Sequence, residues 1–252
     1  MSEFSSGKLY VGTSGWSYNH WRGRFYPENL PNSKWLSFYA SHFSSVEVNS
    51  SFYHLPKPSV FESWAEKTPD NFIFVVKVSR YLTHIKRLKD SLKPFELLLE
   101  AAERLGSKLG PFLFQFPPGM KKDIERLGSF LESLSVNFGT NYRYAFEFRD
   151  ESWFCDTVYN VINNYGCAIV ISSSPSFPYH EVVTGNFCYI RMHGGTELYS
   201  SNYSENELRK FALMIKENLD RGIDTYVYFN NDANAYAVYN AKTLLTLVCS
   251  PG

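Results

Sequence analysis

Short apolar segments of this chain carry ionisable and amide side chains at every second position. In residues 45–49, Ser-Val-Glu-Val-Asn, the polar side chains occupy odd positions and the valines even ones. Because the side chains of a β-strand point alternately to its two faces, each such segment would have one apolar and one charged face. If these strands close into a barrel, the charged faces converge on one interior and form a site. The polar residues placed there are Glu47, Asn49, Lys77, Gln115, Glu147, Arg149, Arg191, His193 and Asn230.

Some of these residues are of the types that move protons in catalysis. The predicted catalytic residues are Glu47, Lys77, Glu147 and His193. General acid–base chemistry requires groups of different protonation state within reach of one substrate. The two carboxylates and the imidazole would move protons, Lys77 would hold negative charge, and replacement of Glu147 by Gln is expected to abolish turnover without unfolding. The alternative is an ion-pair network of purely structural role, because an unpaired charge inside a barrel is costly.

Cations and aromatic side chains near the same strand ends indicate the type of ligand. Arg149, Arg191 and Lys77 fit a phosphate or carboxylate group, which arginine binds through two parallel hydrogen bonds. Aromatic and basic residues interleave in the loops after the first three strands, and Trp16 and Tyr53 follow their strands closely enough to close over a ligand. The predicted substrate-binding residues are Trp16, Asn49, Tyr53, His84, Gln115, Arg149, Arg191, Tyr228, Asn230 and Asp232.

A divalent metal ion is an alternative ligand of the same face. Glu47, Glu147, His193 and Asp232 offer carboxylate and imidazole groups for one. The three cations on that face would compete with a metal ion, however, and the spacing matches no linear metal motif. The sequence also contains no P-loop, no GxGxxG after a strand, no HExxH and no GxSxG. We therefore expect no metal and no cofactor.

The elements that would position these side chains alternate between strand and helix. Strands are predicted near residues 9–13, 45–49, 72–78, 111–116, 143–149, 167–172, 187–193 and 224–230. Helices are predicted over 33–43, 58–67, 91–105, 123–138, 152–165, 204–220 and 233–248. This alternation favours an α/β fold, a single (β/α)8 barrel over residues 9–250 after an N-terminal tail, residues 1–8. The crossover over 172–186 is rich in Ser and Pro and is expected to be irregular. An open doubly wound sheet is the alternative, but it would bury the charged faces under helices.

Composition narrows the class of protein. The 252 residues include 25 basic and 25 acidic ones, and a net charge of zero argues against chain-wide attraction to nucleic acid or to an anionic membrane. The four cysteines show no CxxC spacing and are expected to be reduced thiols. The N-terminus lacks the apolar core of a signal peptide, and no run approaches the roughly 20 apolar residues of a membrane span. We expect a cytoplasmic protein without a membrane partner, of open oligomeric state.

Blocks of sequence spread over nearly the whole chain resemble a known family. They include Gly-Thr-Ser-Gly-Trp-Ser-Tyr at 12–18, Val-Glu-Val-Asn-Ser-Ser-Phe-Tyr at 46–53, Phe-Val-Val-Lys-Val at 74–78, Leu-Phe-Gln-Phe-Pro-Pro at 113–118, Phe-Glu-Phe-Arg at 146–149, Tyr-Ile-Arg-Met-His-Gly at 189–194 and Tyr-Val-Tyr-Phe-Asn-Asn-Asp at 226–232. Together they resemble the YecE-like family, domain of unknown function 72. The chain departs at Ser51, where the family more often has threonine. The resemblance implies a TIM-barrel-like fold and transfers no reaction, but its signature residues coincide with the charged set.

Three functions are compatible with these observations. The first is an enzyme that applies acid–base chemistry to a small polar anion, a phosphorylated or carboxylated sugar-like compound, by hydrolysis, isomerisation or lyase chemistry. The second is nucleic-acid processing or binding, which the basic loop at 80–87 and the aromatic residues of the rim suggest. The third is a barrel that binds a small ligand without catalysis, because fold alone does not determine function.

Overall fold

Eight parallel strands form the centre of the computed structural model, which describes residues 6–250. The strands are β1 (Leu9–Thr13), β2 (Ser45–Val48), β3 (Ile73–Lys77), β4 (Leu109–Gln115), β5 (Tyr144–Glu147), β6 (Ala168–Ser173), β7 (Phe187–Met192) and β8 (Asp224–Phe229). The α-helices are α1 (Trp35–Ala40), α2 (Ser50–Tyr53), α3 (Pro58–Glu66), α4 (Leu92–Ala102), α5 (Ile124–Phe138), α6 (Asp156–Asn164), α7 (Glu205–Asp220) and α8 (Tyr236–Cys249). Among residues 6–250, no helix has the length and apolarity needed to cross a membrane.

The sheet curls into a nearly closed barrel. Its strand order is β1-β8-β7-β6-β5-β4-β3-β2, which leaves β1 and β2 as the two edges that meet. The Tyr39 hydroxyl links these edges, because it accepts a hydrogen bond from the Thr13 backbone N–H at 2.8 Å and donates one to the Ser45 carbonyl at 3.2 Å. Gly12 permits this close approach, since a Cβ at that position would lie 2.1 Å from the Ser45 carbonyl oxygen. The predicted (β/α)8 fold is confirmed, and the open doubly wound alternative is wrong.

The predicted elements agree with the observed ones, with differences at helix ends. Every predicted strand lies within two residues of an observed strand at both ends, and no helix interrupts residues 174–186, as expected. The helix predicted from residue 152 begins only at Asp156, because Cys155 has an extended backbone (φ −154°, ψ 159°). Helix α4 ends at Ala102 and is continued by a 3-10 turn, Glu103–Lys108. Most of the predicted N-terminal tail, residues 1–5, lies outside the described residues.

The side chains inside the barrel form two layers. Near the N-terminal ends of the strands they are mostly apolar, and this cluster comprises Val75, Leu113, Ala145, Ala168, Val170, Phe187, Tyr189, Tyr226 and Tyr228. Two residues further along the same strands the side chains become charged or polar, as in Val75 and Lys77 or Ala145 and Glu147. The inward face is therefore apolar at its base and charged at its top, rather than charged throughout. The charged layer lies at the C-terminal ends of the strands, where ligands bind in this fold.

Candidate functional site

The centre of the charged layer is a buried guanidinium between two carboxylates. Arg191 of β7 and both partners, Glu47 of β2 and Glu147 of β5, have fully buried side chains. Arg191 donates from Nε to Glu47 Oε2 at 3.0 Å and from Nη2 to Glu47 Oε1 at 2.7 Å. Its Nη1 donates to Glu147 Oε2. The bidentate geometry with Glu47 is the strongest that an arginine and a carboxylate can adopt, and through both carboxylates Arg191 links β7 to β2 and β5 across the barrel.

Further donors occupy the remaining positions on both carboxylates. Glu47 accepts hydrogen bonds from the hydroxyls of Ser14 and Tyr189, each at 2.7 Å. Burial by itself raises the pKa of Glu47, but the charge and hydrogen bonds of Arg191 outweigh it and the pKa is lowered. Glu147 accepts from Arg149 Nε at 3.0 Å, and burial is again outweighed, here by the arginines and His193, so that its pKa is well below the usual range. Both carboxylates are therefore ionised at neutral pH, and each accepts several hydrogen bonds, four to Glu47 and three to Glu147.

His193 completes this buried network in its neutral form. Its Nε2 lies 3.1 Å from Glu147 Oε1, and its Nδ1 lies 3.2 Å from the amide nitrogen of Asn230. Since the Asn230 amide can only donate and the carboxylate can only accept, the proton is assigned to Nε2. Burial, reinforced by the charge of Arg191, lowers the pKa of His193 to about 4. The imidazole is thus uncharged at pH 7, and both of its nitrogens are engaged.

An open cavity of about 580 Å³ lies above the network at the mouth of the barrel. Its walls combine three basic side chains with amides and aromatic rings. The lining residues are Tyr18, Asn49, Phe52, Tyr53, Lys77, Arg80, His84, Gln115, Arg149, Tyr199, Asn230 and Asp232. Most of the predicted substrate-binding residues are among them, whereas Glu47, Glu147, Arg191 and His193 lie beneath the cavity rather than in its wall. A volume of this size suits a small organic ligand.

Lys77 differs from every other buried charge of the site. It ends β3 and is only 8% exposed, yet within residues 6–250 its amine has neither a hydrogen bond nor an ion pair. Its Nζ lies 4.1 Å from the centre of the Phe52 ring. Burial, followed by the charge of Arg191, lowers the pKa of Lys77 to about 7, although Glu147 and Glu47 act in the opposite direction. Near neutral pH this amine is therefore poised between its two protonation states.

Arg149 faces the cavity with the outer part of its guanidinium. Nε is bound to Glu147, and the guanidinium carbon lies 4.0 Å from the centre of the Phe177 ring. In the part of the chain that the structure describes, the two Nη atoms have no hydrogen-bond partner, so they can donate hydrogen bonds to an anion. Asn49 lines the same wall, but its Oδ1 is shielded from solvent and has no partner in the described chain. The cavity thus offers a cationic fork to a ligand.

Further titratable groups of the cavity include His84, which contacts the same Phe52 ring as Lys77, and Asp232 and Tyr53. Burial, with the charges of Lys77 and Arg80, lowers the pKa of His84 to about 4, so its ring is neutral at pH 7. Burial raises the pKa of Asp232, whose Oδ2 lies 3.3 Å from His20 Nε2. Tyr53 stands at the rim with 70% of its surface exposed. Cationic groups therefore gather on the Lys77 side of the cavity.

Besides Arg191, which lies in the buried network, two predicted binding residues do not line the cavity. Trp16 packs edge-on against Trp64 at 5.1 Å between ring centres and is part of the packing outside the sheet, so it does not line the cavity. Tyr228 lies one layer too deep, in the apolar base, where its hydroxyl is hydrogen-bonded to Ser45. Both positions have the same origin: parity and proximity to a strand end do not determine depth in the barrel or the direction in which a loop turns.

Four lining residues were not predicted as part of the site. Phe52 adjoins Tyr53, while Tyr18 and Arg80 belong to the aromatic and basic loops already noted, so their composition was the available signal. No sequence signal points to Tyr199, because this residue lies in the loop after β7 and reaches the cavity from a left-handed backbone conformation (φ 65°). Among residues 6–250, no three His, Cys, Asp or Glu side chains lie together in a way that would hold a metal ion.

Comparisons with known proteins agree in one family. The model for "Protein of unknown function DUF72" matches residues 10–251. UPF0759 protein YunF of Bacillus subtilis is 26% identical over 271 residues, which cover 95% of this chain and 94% of YunF. UPF0759 protein YecE of Escherichia coli is 30% identical over 139 residues, or 54% of this chain and 48% of YecE. The crystal structure of a DUF72 family protein from Thermotoga maritima matches with a TM-score of 0.85 at 33% identity, covering 96% of this chain and 100% of that one. The chain with this buried network and cavity therefore belongs to the DUF72 family, as its sequence blocks suggested.

Proposed function

We propose that the mouth of the barrel is the active site of an enzyme that binds a small polar anion, phosphorylated or carboxylated, and applies acid–base chemistry to it. One observation carries the proposal. Lys77 is only 8% exposed, and its amine meets the cavity without any polar partner in the described chain, whereas each charge of the network beneath is paired. A charge that is largely removed from water and has no partner is destabilising, so such an arrangement supports a functional role rather than a structural one.

The cations of the cavity support an anionic ligand. Within the network, Arg191 and Arg149 offset the charges of Glu47 and Glu147, so the layer beneath is neutral overall. Protonated Lys77 adds an unbalanced positive charge, and the free Nη atoms of Arg149 are available to the same ligand. A phosphate or carboxylate would supply the missing counter-charge.

The roles within the site differ from those expected from sequence. Lys77 is the group placed to exchange a proton with a ligand, because its amine is accessible and its protonation is balanced near neutrality. Glu47, Glu147 and His193 act as positioning residues, because Arg191 and Arg149 bind the carboxylates and both nitrogens of His193 are engaged by Glu147 and Asn230.

The test combines anion binding with a survey of turnover. Calorimetry at pH 7 measures inorganic phosphate binding to the wild type, to Lys77→Met and to Lys67→Met, a matched control at an exposed lysine. We expect binding to weaken about tenfold or more in Lys77→Met and to be unchanged in the control. NMR of sugar phosphates and sugar acids incubated with each protein then detects turnover. Equal phosphate binding by all three proteins would contradict the proposal, and a ligand bound but recovered unchanged would favour a non-catalytic barrel.

Nucleic-acid binding is a second candidate, favoured by the exposed aromatic residues of the rim. Tyr53 and Tyr81 are 70% and 44% exposed, and Lys86 lies 5.8 Å from the Tyr81 ring centre. Stacking of unpaired bases on such rings, with cations on the phosphates, would give an affinity that falls steeply with salt. Fluorescence anisotropy with single-stranded DNA at low and high salt tests this, and no binding at low salt would dismiss it.

A further inference from the structure

Lys77 has the surroundings of a nucleophilic amine as well as those of a base. Its Nζ lies against the face of the Phe52 ring at 4.1 Å, and its neighbours Arg191 and Arg149 are cations. Amines that attack carbonyl groups in enzymes are activated by two conditions that Lys77 meets, removal from water and an adjacent positive charge. The amine must lose its proton before it can attack, and both conditions favour that loss, although the face of the Phe52 ring by itself favours the cation.

The carboxylates that would otherwise trap this amine are held away from it. Glu47 is bound by Arg191, Ser14 and Tyr189, and Glu147 is bound by Arg191, Arg149 and His193. Within residues 6–250, no ion pair joins either of them to Lys77. The lone pair of the neutral amine is consequently available to a ligand in the cavity.

We infer that Lys77 forms an imine with an aldehyde or ketone that also carries a phosphate or carboxylate group, which Arg149 binds. This inference rests on the proposed function and names the class of substrate for the same cavity. The anionic group is required because an imine formed next to Arg191 and Arg149 becomes cationic when protonated. A phosphate or carboxylate on the same molecule balances that charge, while Nη1 and Nη2 of Arg149 provide the two donors that it needs.

The chemical step is a condensation. The lone pair of Lys77 Nζ forms a bond to the carbonyl carbon, the C=O π pair moves to oxygen, and a proton passes from nitrogen to that oxygen through solvent, which gives a carbinolamine. A second solvent proton then converts the hydroxyl into water, which leaves as the nitrogen lone pair forms C=N. The products are one protonated imine and one water molecule, and no oxidant or reductant takes part. The resulting electron-poor carbon is the starting point for cleavage or isomerisation of a neighbouring bond.

Reductive trapping tests this step. The full-length protein is incubated at pH 7 with glyoxylate, a small carboxylated aldehyde, and with sodium borohydride, which transfers hydride to the imine carbon and fixes the adduct as a secondary amine. Peptide mass spectrometry then locates the modified lysines. Acetaldehyde replaces glyoxylate in a parallel reaction as the uncharged probe. Lys77→Met and Lys67→Met are treated in the same way.

Selective modification of Lys77 is the expected result. At pH 7 roughly half of the Lys77 side chains are free amines, against fewer than about one in a thousand for an exposed lysine, so we expect Lys77 to react at least about tenfold faster than Lys67. Glyoxylate should label it faster than acetaldehyde does, and inorganic phosphate should protect it. Labelling of Lys77 should also rise with a midpoint near pH 7, which a lysine of structural role would not show.

Failure of the imine inference and failure of the proposed function give different results in these experiments. One outcome is that phosphate binds to the wild type and more weakly to Lys77→Met, but Lys77 is labelled no faster than Lys67. The imine is then overturned, and the anion-binding active site stands. If acetaldehyde labels Lys77 as fast as glyoxylate does, the requirement for an anionic substrate is overturned. If phosphate does not bind and labelling is unselective, the inference and the proposed function fall together.

Discussion

Two groups of buried charge lie next to each other in this barrel, and they differ in whether the charges have polar partners. Around Arg191, the two carboxylates accept hydrogen bonds from guanidinium, hydroxyl and imidazole donors. Around Lys77, the described chain provides an aromatic face and no polar partner. Charge on the inward face is therefore not by itself evidence of chemistry. Paired charges hold the strands in place, and the unpaired amine above them is the group left to meet a ligand.

The sharpest test of the paired region is the removal of its centre. Arg191→Met would leave Glu47 and Glu147 buried without their main counter-charge, so we expect the free energy of unfolding to fall by about 3–5 kcal/mol. Urea unfolding at pH 7 measures this fall. Arg209→Met is the control, since Arg209 is an exposed partner of Glu205 on α7 and should change stability by less than about 0.5 kcal/mol. Equal stability of Arg191→Met and the wild type would show that the network is not structural.

A smaller loss is expected when one carboxylate is made neutral. Glu147→Gln removes the charge opposite Arg191 and Arg149 and turns an amide NH2 toward groups that themselves donate, so we expect a loss of about 2–3 kcal/mol. Glu125→Gln on the exposed face of α5 is the matched control. A loss of this size is smaller than the stability of a typical folded domain, so the sequence-based expectation that Glu147→Gln does not unfold the protein is kept. Unaltered urea unfolding of this variant would show that the charge of Glu147 does not stabilise the network.

Removal of the unpaired charge of Lys77 should raise the free energy of unfolding, whereas removal of Arg191 should lower it. Burial and the charge of Arg191 lower the pKa of Lys77 to about 7, whereas the unfolded chain restores it to about 10.4. Between these values the unfolded chain holds the extra proton, so wild-type stability rises with pH, by at most about 1.4 kcal/mol per unit. Lys77→Met lacks this dependence. We expect it to be about 1–3 kcal/mol more stable than the wild type at pH 7.

The measurement is the difference in urea unfolding free energy between Lys77→Met and the wild type from pH 6 to pH 10. Taking the difference removes the contributions of groups that titrate in both proteins. The advantage of Lys77→Met should be largest at pH 6 and should shrink as the pH rises above 7. A difference that does not vary with pH would mean that Lys77 is not perturbed, and the comparison between the two regions would lose its basis.

The sequence predicts the elements of this fold better than the pairing within the site. Period-two alternation locates all eight strands, and closure of the barrel then places Glu47, Lys77, Glu147 and Arg191 on one inward face. It does not show that Arg191 rather than Lys77 reaches the carboxylates. Glu47 and Arg191 are 144 residues apart, so their contact depends on the register of several intervening strands. The same patterns therefore could not separate the paired cation from the unpaired one.

Depth and loop direction are also beyond the reach of such patterns. Tyr228 and Asn230 share the inward side of β8 and its end, but only Asn230 is high enough to line the cavity. Trp16 and Tyr53 both follow a strand closely, yet Trp16 turns outward onto Trp64 while Tyr53 stays at the rim. Loop backbones have no fixed period, so the direction of a side chain there is set by packing that only the folded structure shows.

The smallest expected effect comes from Arg149, which belongs to both regions. Its Nε is bound to Glu147 at 3.0 Å, while its two Nη atoms face the cavity without a partner in the described chain. Lysine at this position keeps the positive charge but can serve only one of the two acceptors at a time, because it lacks the planar fork. We expect Arg149→Lys to lose less than about 1 kcal/mol of stability and to bind inorganic phosphate about five- to tenfold more weakly. Calorimetry and urea unfolding measure the two effects separately, with Arg209→Lys on α7, outside the cavity, as the control. If Arg149→Lys loses stability but binds phosphate as before, Arg149 belongs wholly to the paired network, and Lys77 is left as the cavity's main contact for an anion.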